Sequence, residues 1–199
     1  SEARMCGNGI RCVGKYVYDH GLTHNTTLRI DTLSGIKQLR LHVRDGQVGA
    51  ATVDMGVPEV KEEGLRGEDG RRESRNLHVS MGNPHYVCFV PDVMTVDVAS
   101  EGSRLEYEAV PGERCNVEFA TLRPDGTIRM RVWERGSGIT LACGTGACAT
   151  AVAASVLGLT GRTNQVQMDG GTLSIAWAED GHVLMTGPAE TVFEGTITT

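Results

Sequence analysis

Residues 147–159, ACATAVAASVLGL, limit the fold more than any other stretch of this chain. The run has helical length, stops at Gly158 and carries no polar face. A helix that is apolar all round has to be enclosed by other structure. The material available to enclose it is β: most of the chain reads as short β-branched runs broken by turn residues, with few aromatics and 26 glycines. Residues 27–33, 37–43 and 47–55 read as an antiparallel meander, with a hairpin turn at 44–47 whose Asp45-Gly46 supplies the positive φ such turns need. A second β-rich unit is expected over 77–81, 85–90, 116–122 and 127–133, followed by strands at 165–169, 172–178, 182–186 and 191–197. Between the two lies 60–75, rich in Glu, Gly and Arg and without periodicity, which reads as a solvated crossing. An amphipathic helix is expected within 96–107, weakened by Gly102.

The enclosed helix is preceded by ACGTGACA at 142–149, and a like element, MCGNGIRC, stands at 5–12. After Gly9 the spacing of Ile10, Val13 and Val17 predicts another helix, which runs to Asp19 and stops at His20-Gly21. A Cys-Gly-x-Gly element ahead of each helix delivers a thiol to the N-terminus of a buried helix. Unpaired N–H groups and partial positive charge there shift a thiol toward its thiolate and can hold a carboxylate. One such element also fits a small cysteine that merely packs. Two of them suit opposed acid and base thiols. A carbon held between them loses a proton to one, becomes planar, and receives a proton from the other on its opposite face, which inverts a stereocentre.

Composition narrows the partners. The formal charge is −6 and the basic residues are scattered, so the chain has no electrostatic footprint for nucleic acid or an anionic membrane. No apolar run is long enough to span a bilayer, and a small polar or zwitterionic ligand is the expected partner. The six cysteines include no C-x-x-C pair and have no histidines clustered near them, which fits reduced thiols in a cytoplasm better than disulfides or zinc. Cys12, Cys88 and Cys148 read as buried structural thiols, and Cys115 as a packing residue.

Three further polar positions stand out. Gly82-Asn83-Pro84-His85 is either a turn with a surface histidine or an amide and an imidazole offered to a ligand. Glu134-Arg135, at a strand end close in sequence to Cys143, is a solvated ion pair or part of the same site. Asn116 opens the strand Asn-Val-Glu-Phe-Ala as a turn residue or a ligand amide. Together these groups suit an amino-acid head, with arginine binding a carboxylate in a bidentate way.

MCGNGIRC, SMGNPH, NVEF, WERG and LACGTGACA, in this order and spacing, together with the ending GPAETVFEGTI, resemble the diaminopimelate epimerase family over nearly the whole chain. The resemblance implies an α+β fold of two pseudo-symmetric domains, each a curved, mainly antiparallel sheet around a central helix. The N-terminal domain would comprise 1–54 with 187–199, and the C-terminal domain 55–186. It also implies an isomerase that uses neither pyridoxal phosphate nor metal and interconverts LL- and meso-diaminopimelate on the route to lysine and peptidoglycan. Carried over by position, Cys6 and Cys143 are the acid/base thiols. Gly7, Asn8, Gly144 and Thr145 hold the α-carboxylate through helix-terminal amides. Glu134, Arg135, Asn83 and Asn116 surround the reacting and distal groups, Arg135 gripping the distal carboxylate, and His85 supports proton transfer near the thiols.

The chain departs from the family pattern in places. Family members begin with a strand-rich segment that does not precede the first Cys-Gly-x-Gly element here, so the first domain is expected to be incomplete. The family usually has an apolar residue at Ser137 and Glu at Ile139. A separate N-terminal segment and a second copy in a homodimer are the protein partners left open. Two other functions also stay open: a proline or hydroxyproline racemase-like enzyme, whose family tends to have His where this chain has Asn8, and a truncated, inactive amino-acid-binding protein.

Overall fold

A computed structural model describes residues 6–61 and 75–197. They form two compact units, one of Ser1–Val53 with Thr186–Thr199 and one of Asp54–Met185.

In the first unit, helix α1 (Gly7–Asp19) packs on strands β1 (Thr27–Thr32), β2 (Gly35–Arg44) and β3 (Gln47–Asp54), an antiparallel meander in the order β1-β2-β3. The 44–47 turn forms as expected, with Asp45 and Gly46 at φ 52° and 78°. Gly14 lets α1 sit close on the sheet: a Cβ there would stand 2.9 Å from Leu41 Cδ2 and 3.1 Å from Leu39 Cδ2. Lys15 and Asp19 tie the far end of the helix down. The ammonium donates to Asp19 Oδ2 at 2.6 Å and to the Val48 carbonyl at 2.7 Å, while Asp19 Oδ1 accepts from the Val48 N–H at 2.9 Å. The returning chain adds a hydrogen bond from the Ala189 N–H to Gly49 and a 3.2 Å bond from Arg11 Nε to the Pro188 carbonyl.

In the second unit β4 (Glu59–Lys61), β5 (Asn76–Ser80), β6 (Pro84–Phe89), β7 (Asn116–Leu122), β8 (Ile128–Glu134), β9 (Gly138–Thr140), β10 (Thr163–Met168), β11 (Gly171–Trp177) and the start of β12 (Val183–Pro188) build a mixed sheet. Its order is β12-β11-β10-β8-β7-β6-β5-β4, with β9 on β8. The two parallel pairs, β6 with β7 and β8 with β10, require long crossovers, and helices supply them: α2 (Val98–Glu108) in the first and α3 (Gly144–Val156) in the second. Strands β5, β6, β7, β8, β10 and β11 all touch α3, so the sheet wraps the helix. That enclosure is what a helix with no polar face demanded. Alternation along β7 sets the two sides: Val117 and Phe119 join Val98, Val110 and Cys115 in the core under α2, while Glu118 faces α3. Gly102 belongs to α2 for packing and not for flexibility, since a Cβ there would stand 2.5 Å from Trp133 Cβ. The architecture is α+β, and among the described residues no helix is long and apolar enough to cross a membrane.

Several expectations are corrected. Residues 191–197 form no strand: Val192 and Phe193 are exposed, and alternating β-branched residues stay irregular where neither a ladder nor a buried face is offered. Val60 and Lys61 pair in β4 instead of opening a loop, and the rest of the expected crossing to residue 74 lies outside the described residues. Both Cys-Gly-x-Gly helices start earlier than expected, at the first glycine, with the cysteine as N-cap. Only α3 is buried on all sides; α1 buries Gly7, Ile10, Arg11 and Gly14. Cys12, off that stripe, is exposed and not a structural core thiol, whereas Cys88 and Cys148 are buried.

Candidate active site

Each Cys-Gly-x-Gly element gives its helix terminus the same backbone geometry, though only the Cys6 side chain caps its helix with a hydrogen bond. Cys6 and Cys143 are N-caps with φ/ψ of −125°/114° and −133°/112°, and each heads a helix of 13 residues. Gly7 and Asn8, like Gly144 and Thr145, occupy the first turn, where N–H groups have no intrahelical acceptor. Asn8 Oδ1 accepts from Arg11 Nη2 at 3.1 Å, and Cys6 Sγ accepts from the Gly9 N–H at 3.4 Å.

Asn83, Thr145 and Glu134 are candidates of the second unit that lie near Cys143. Asn83 Nδ2 donates to Thr145 Oγ1 at 3.3 Å, and Thr145 Oγ1 lies 3.6 Å from Cys143 Sγ. The Cys143 N–H points at Met168 Sδ, 3.5 Å away. His85 is paired in register with Asn116 across the parallel β6–β7 ladder, and the Asn116 side chain accepts from the Arg135 N–H at 2.9 Å. This bond orients the turn that carries Glu134 and Arg135. Glu106 of α2 braces the same strand end by accepting from Trp133 Nε1 at 2.8 Å and from Arg114 Nε at 2.9 Å. Glu134 Oε1 accepts from the Thr140 hydroxyl at 2.5 Å, and Arg135 Nη1 donates to the Arg114 carbonyl at 3.2 Å.

His85 is not a surface residue. It is 0% exposed, and its Nδ1 lies 2.7 Å from Oε1 of Glu118, which is also 0% exposed. Sequence reasoning missed Glu118. The available signal was an acidic side chain in the middle of an otherwise apolar strand, where a charge is retained only for a partner or a task.

The Cys143 thiol does not follow the expected helix-terminus shift toward thiolate. Burial, then the nearby carboxylates of Glu118 and Glu134, push it well above the usual thiol range. At this site dehydration and like charge outweigh the helix dipole. Cys143 is therefore a proton-carrying thiol at neutral pH. The thiols of Cys88 and Cys115 are pushed up to about 12 by burial first and by Glu118 next, and stay inert.

The diaminopimelate epimerase family model matches residues 1–61 and 77–192. The diaminopimelate epimerase of Bacteroides thetaiotaomicron is 57% identical over 196 residues, covering 98% of this chain and 73% of its own length. That of Acetivibrio thermocellus is 46% identical, with 99% of this chain and 75% of the relative covered. Among solved structures, a probable proline racemase from Agrobacterium radiobacter superposes with a TM-score of 0.74 at 17% identity, over 98% of this chain and 68% of that one. A hydroxyproline epimerase from Agrobacterium vitis gives 0.72 at 17% identity, over 93% and 64%. The likeness to these two is one of fold alone, whereas the match in sequence runs through every cysteine element and strand end described above. The chain belongs to the diaminopimelate epimerase family, and with it to the isomerases.

Proposed function

We propose that the chain inverts Cα of diaminopimelate between the LL and meso forms by a two-base mechanism, with Cys6 and Cys143 acting on opposite faces of the carbon. The observation that carries this reading is the repetition of one N-cap geometry by a cysteine at two positions that both lie in the family match. One thiolate takes the Cα proton. The electron pair left behind delocalises onto the α-carboxylate, which the first-turn amides of Gly7, Asn8, Gly144 and Thr145 bind. The opposing thiol then gives its proton to the other face, so the proton count is unchanged and the two sulfurs have exchanged roles. Asn83, Asn116, Glu134 and Arg135 position the substrate, Arg135 through the distal carboxylate, and His85 supports the proton transfer.

The exposed Cys6 is the base in the direction that starts with Cys143 protonated. Because one thiolate and one thiol are required, kcat/KM should follow a bell-shaped pH dependence that belongs to the pair. The test is chiral chromatography of LL-diaminopimelate incubated with the reduced chain, with and without chelator and hydroxylamine. Formation of the meso isomer in all conditions supports the reading. Abolition by either reagent would overturn the cofactor-independent chemistry, and amino-acid binding without isomerisation would overturn the reaction itself.

A further inference from the structure

Among the described residues three buried side-chain atoms have no hydrogen-bond partner; one is His78 Nε2, and the other two lie together on one hydrogen-bonded pair. His85 Nε2 and Glu118 Oε2 have no hydrogen-bond partner among the described residues, although both side chains are fully enclosed. Leaving such atoms unpaired costs on the order of 1–3 kcal/mol each, more for a charged group, so a pair of them in one place calls for a cause. Their place in the fold supplies one. The point at which a Cβ on Gly146 would stand lies 2.6 Å from Glu118 Oε1 and 3.3 Å from Cys143 Sγ. Carboxylate and thiol thus border the same space, which stays open because Gly146 has no side chain.

We propose that Glu118 is a positioning residue for proton transfer at Cys143: it fixes the His85 ring through Nδ1 and presents negative charge to the thiol, so that Cys143 waits as the proton donor. With the carboxylate accepting, Nδ1 must carry the hydrogen. The glycine after Thr145 is part of the device, because any side chain there would displace the carboxylate. Other titratable groups face this pair: His78 from β5, Cys88 from β6, Cys115 ahead of β7 and Glu134 at the end of β8. Among them only Glu134 joins Glu118 in raising the Cys143 thiol. The inference rests on the reading of Cys143 as an acid/base thiol, and Glu118 adds to the burial that keeps that thiol, at a helix N-terminus, from being a thiolate.

The test uses the full chain and two readouts that need no turnover. In the unmutated protein, ¹⁵N NMR of the His85 ring should show Nδ1 protonated; a neutral ring with its hydrogen on Nε2 would overturn the proposal. In Glu118→Gln, site-resolved alkylation of Cys143 by iodoacetamide at pH 8 should speed up by about tenfold or more, one pKa unit being tenfold in thiolate. An alkylation rate within about twofold of the unmutated protein in a folded variant would overturn it, on the scale of that same tenfold unit. In active enzyme Glu118→Gln should lower kcat by about a hundredfold with KM changed by less than about threefold, and Glu118→Asp should restore part of the loss. A chain that alkylates as expected yet does not isomerise diaminopimelate would refute the reaction and leave the role of Glu118 toward Cys143 standing.

Discussion

Helices α1 and α3 are the same object at their ends and different objects in between. Each has a cysteine N-cap, each spans 13 residues, and each ends in a left-handed glycine, Gly21 at φ 69° and Gly158 at φ 70°. In both, the residue after that glycine donates back to the third-last helical carbonyl, Leu22 to Val17 and Leu159 to Ala154, the pattern of a Schellman motif. The middles diverge. Residues 147–154 of α3 are all buried, and its thiol is 6% exposed, while α1 turns Val13 and Tyr16 to solvent and its Cys6 is exposed. Local sequence therefore places a thiol at a helix N-terminus, and the burial of that terminus and the groups packed against it decide what that thiol is. The exposed one accepts a hydrogen bond from the Gly9 N–H of its own first turn. A buried one, beside two carboxylates, keeps its proton.

The comparison breaks most severely if the two thiols are not both required. Cys6→Ser and Cys143→Ser should each lower kcat by at least about a thousandfold in steady-state assays, since a serine hydroxyl is too weak an acid and base to replace a thiol. Near-normal turnover by either variant would contradict the two-base account.

The third residue of each helix sharpens the contrast. A Cβ at Gly9 would make ordinary contacts with Cys6, at 3.5 Å and 3.6 Å, whereas at Gly146 it would run into Glu118. Gly146→Ala should destabilise the protein in urea titration by about 1–3 kcal/mol, as overpacking does, while Gly9→Ala should leave stability unchanged or raise it by up to about 1 kcal/mol through helix propensity.

Alkaline stability separates the units next. An unfolded thiol ionises near 9, and burial holds Cys88 and Cys115 protonated up to about 12. The folded chain thus keeps protons that the unfolded chain has released. This contribution is complete below pH 9 and is lost as pH rises toward 12, by about 1 kcal/mol per thiol at pH 10. Cys88→Ala should flatten the fall in thermal midpoint between pH 8 and 10. The smallest effect concerns Cys12: labelling with a maleimide should proceed in the folded protein and shift stability by less than about 0.5 kcal/mol, while Cys148 stays protected.

Much of this was legible in the residues. The absence of any polar side chain facing outward from α3 required an enclosing sheet, and the meander with its Asp-Gly turn followed from alternation and turn chemistry. The position of Asn83 beside Thr145 was foreshadowed only by the family motifs, since nothing local links residues so far apart in sequence. What was illegible depended on neighbours. Whether residues 191–197 become a strand depends on a partner edge, and β9 is short enough that its pairing with β8 decides it. The rise in the Cys143 thiol could not be read from its helix alone, because it comes from burial under the enclosing sheet and then from Glu118 and Glu134 on other strands, and Glu118 looked like one residue in an apolar run until the parallel register set it under α3.

The most direct test of the central claim is the fate of the Cα hydrogen. LL-diaminopimelate should be incubated in D₂O with the reduced chain, quenched early, and its isomers separated for mass spectrometry. Two thiols with separate roles predict that the meso product carries one solvent deuterium at the inverted carbon while the remaining LL substrate is unlabelled. Equal labelling of both isomers, or meso product that retains the substrate hydrogen, would mean that one base serves both faces and would contradict the account.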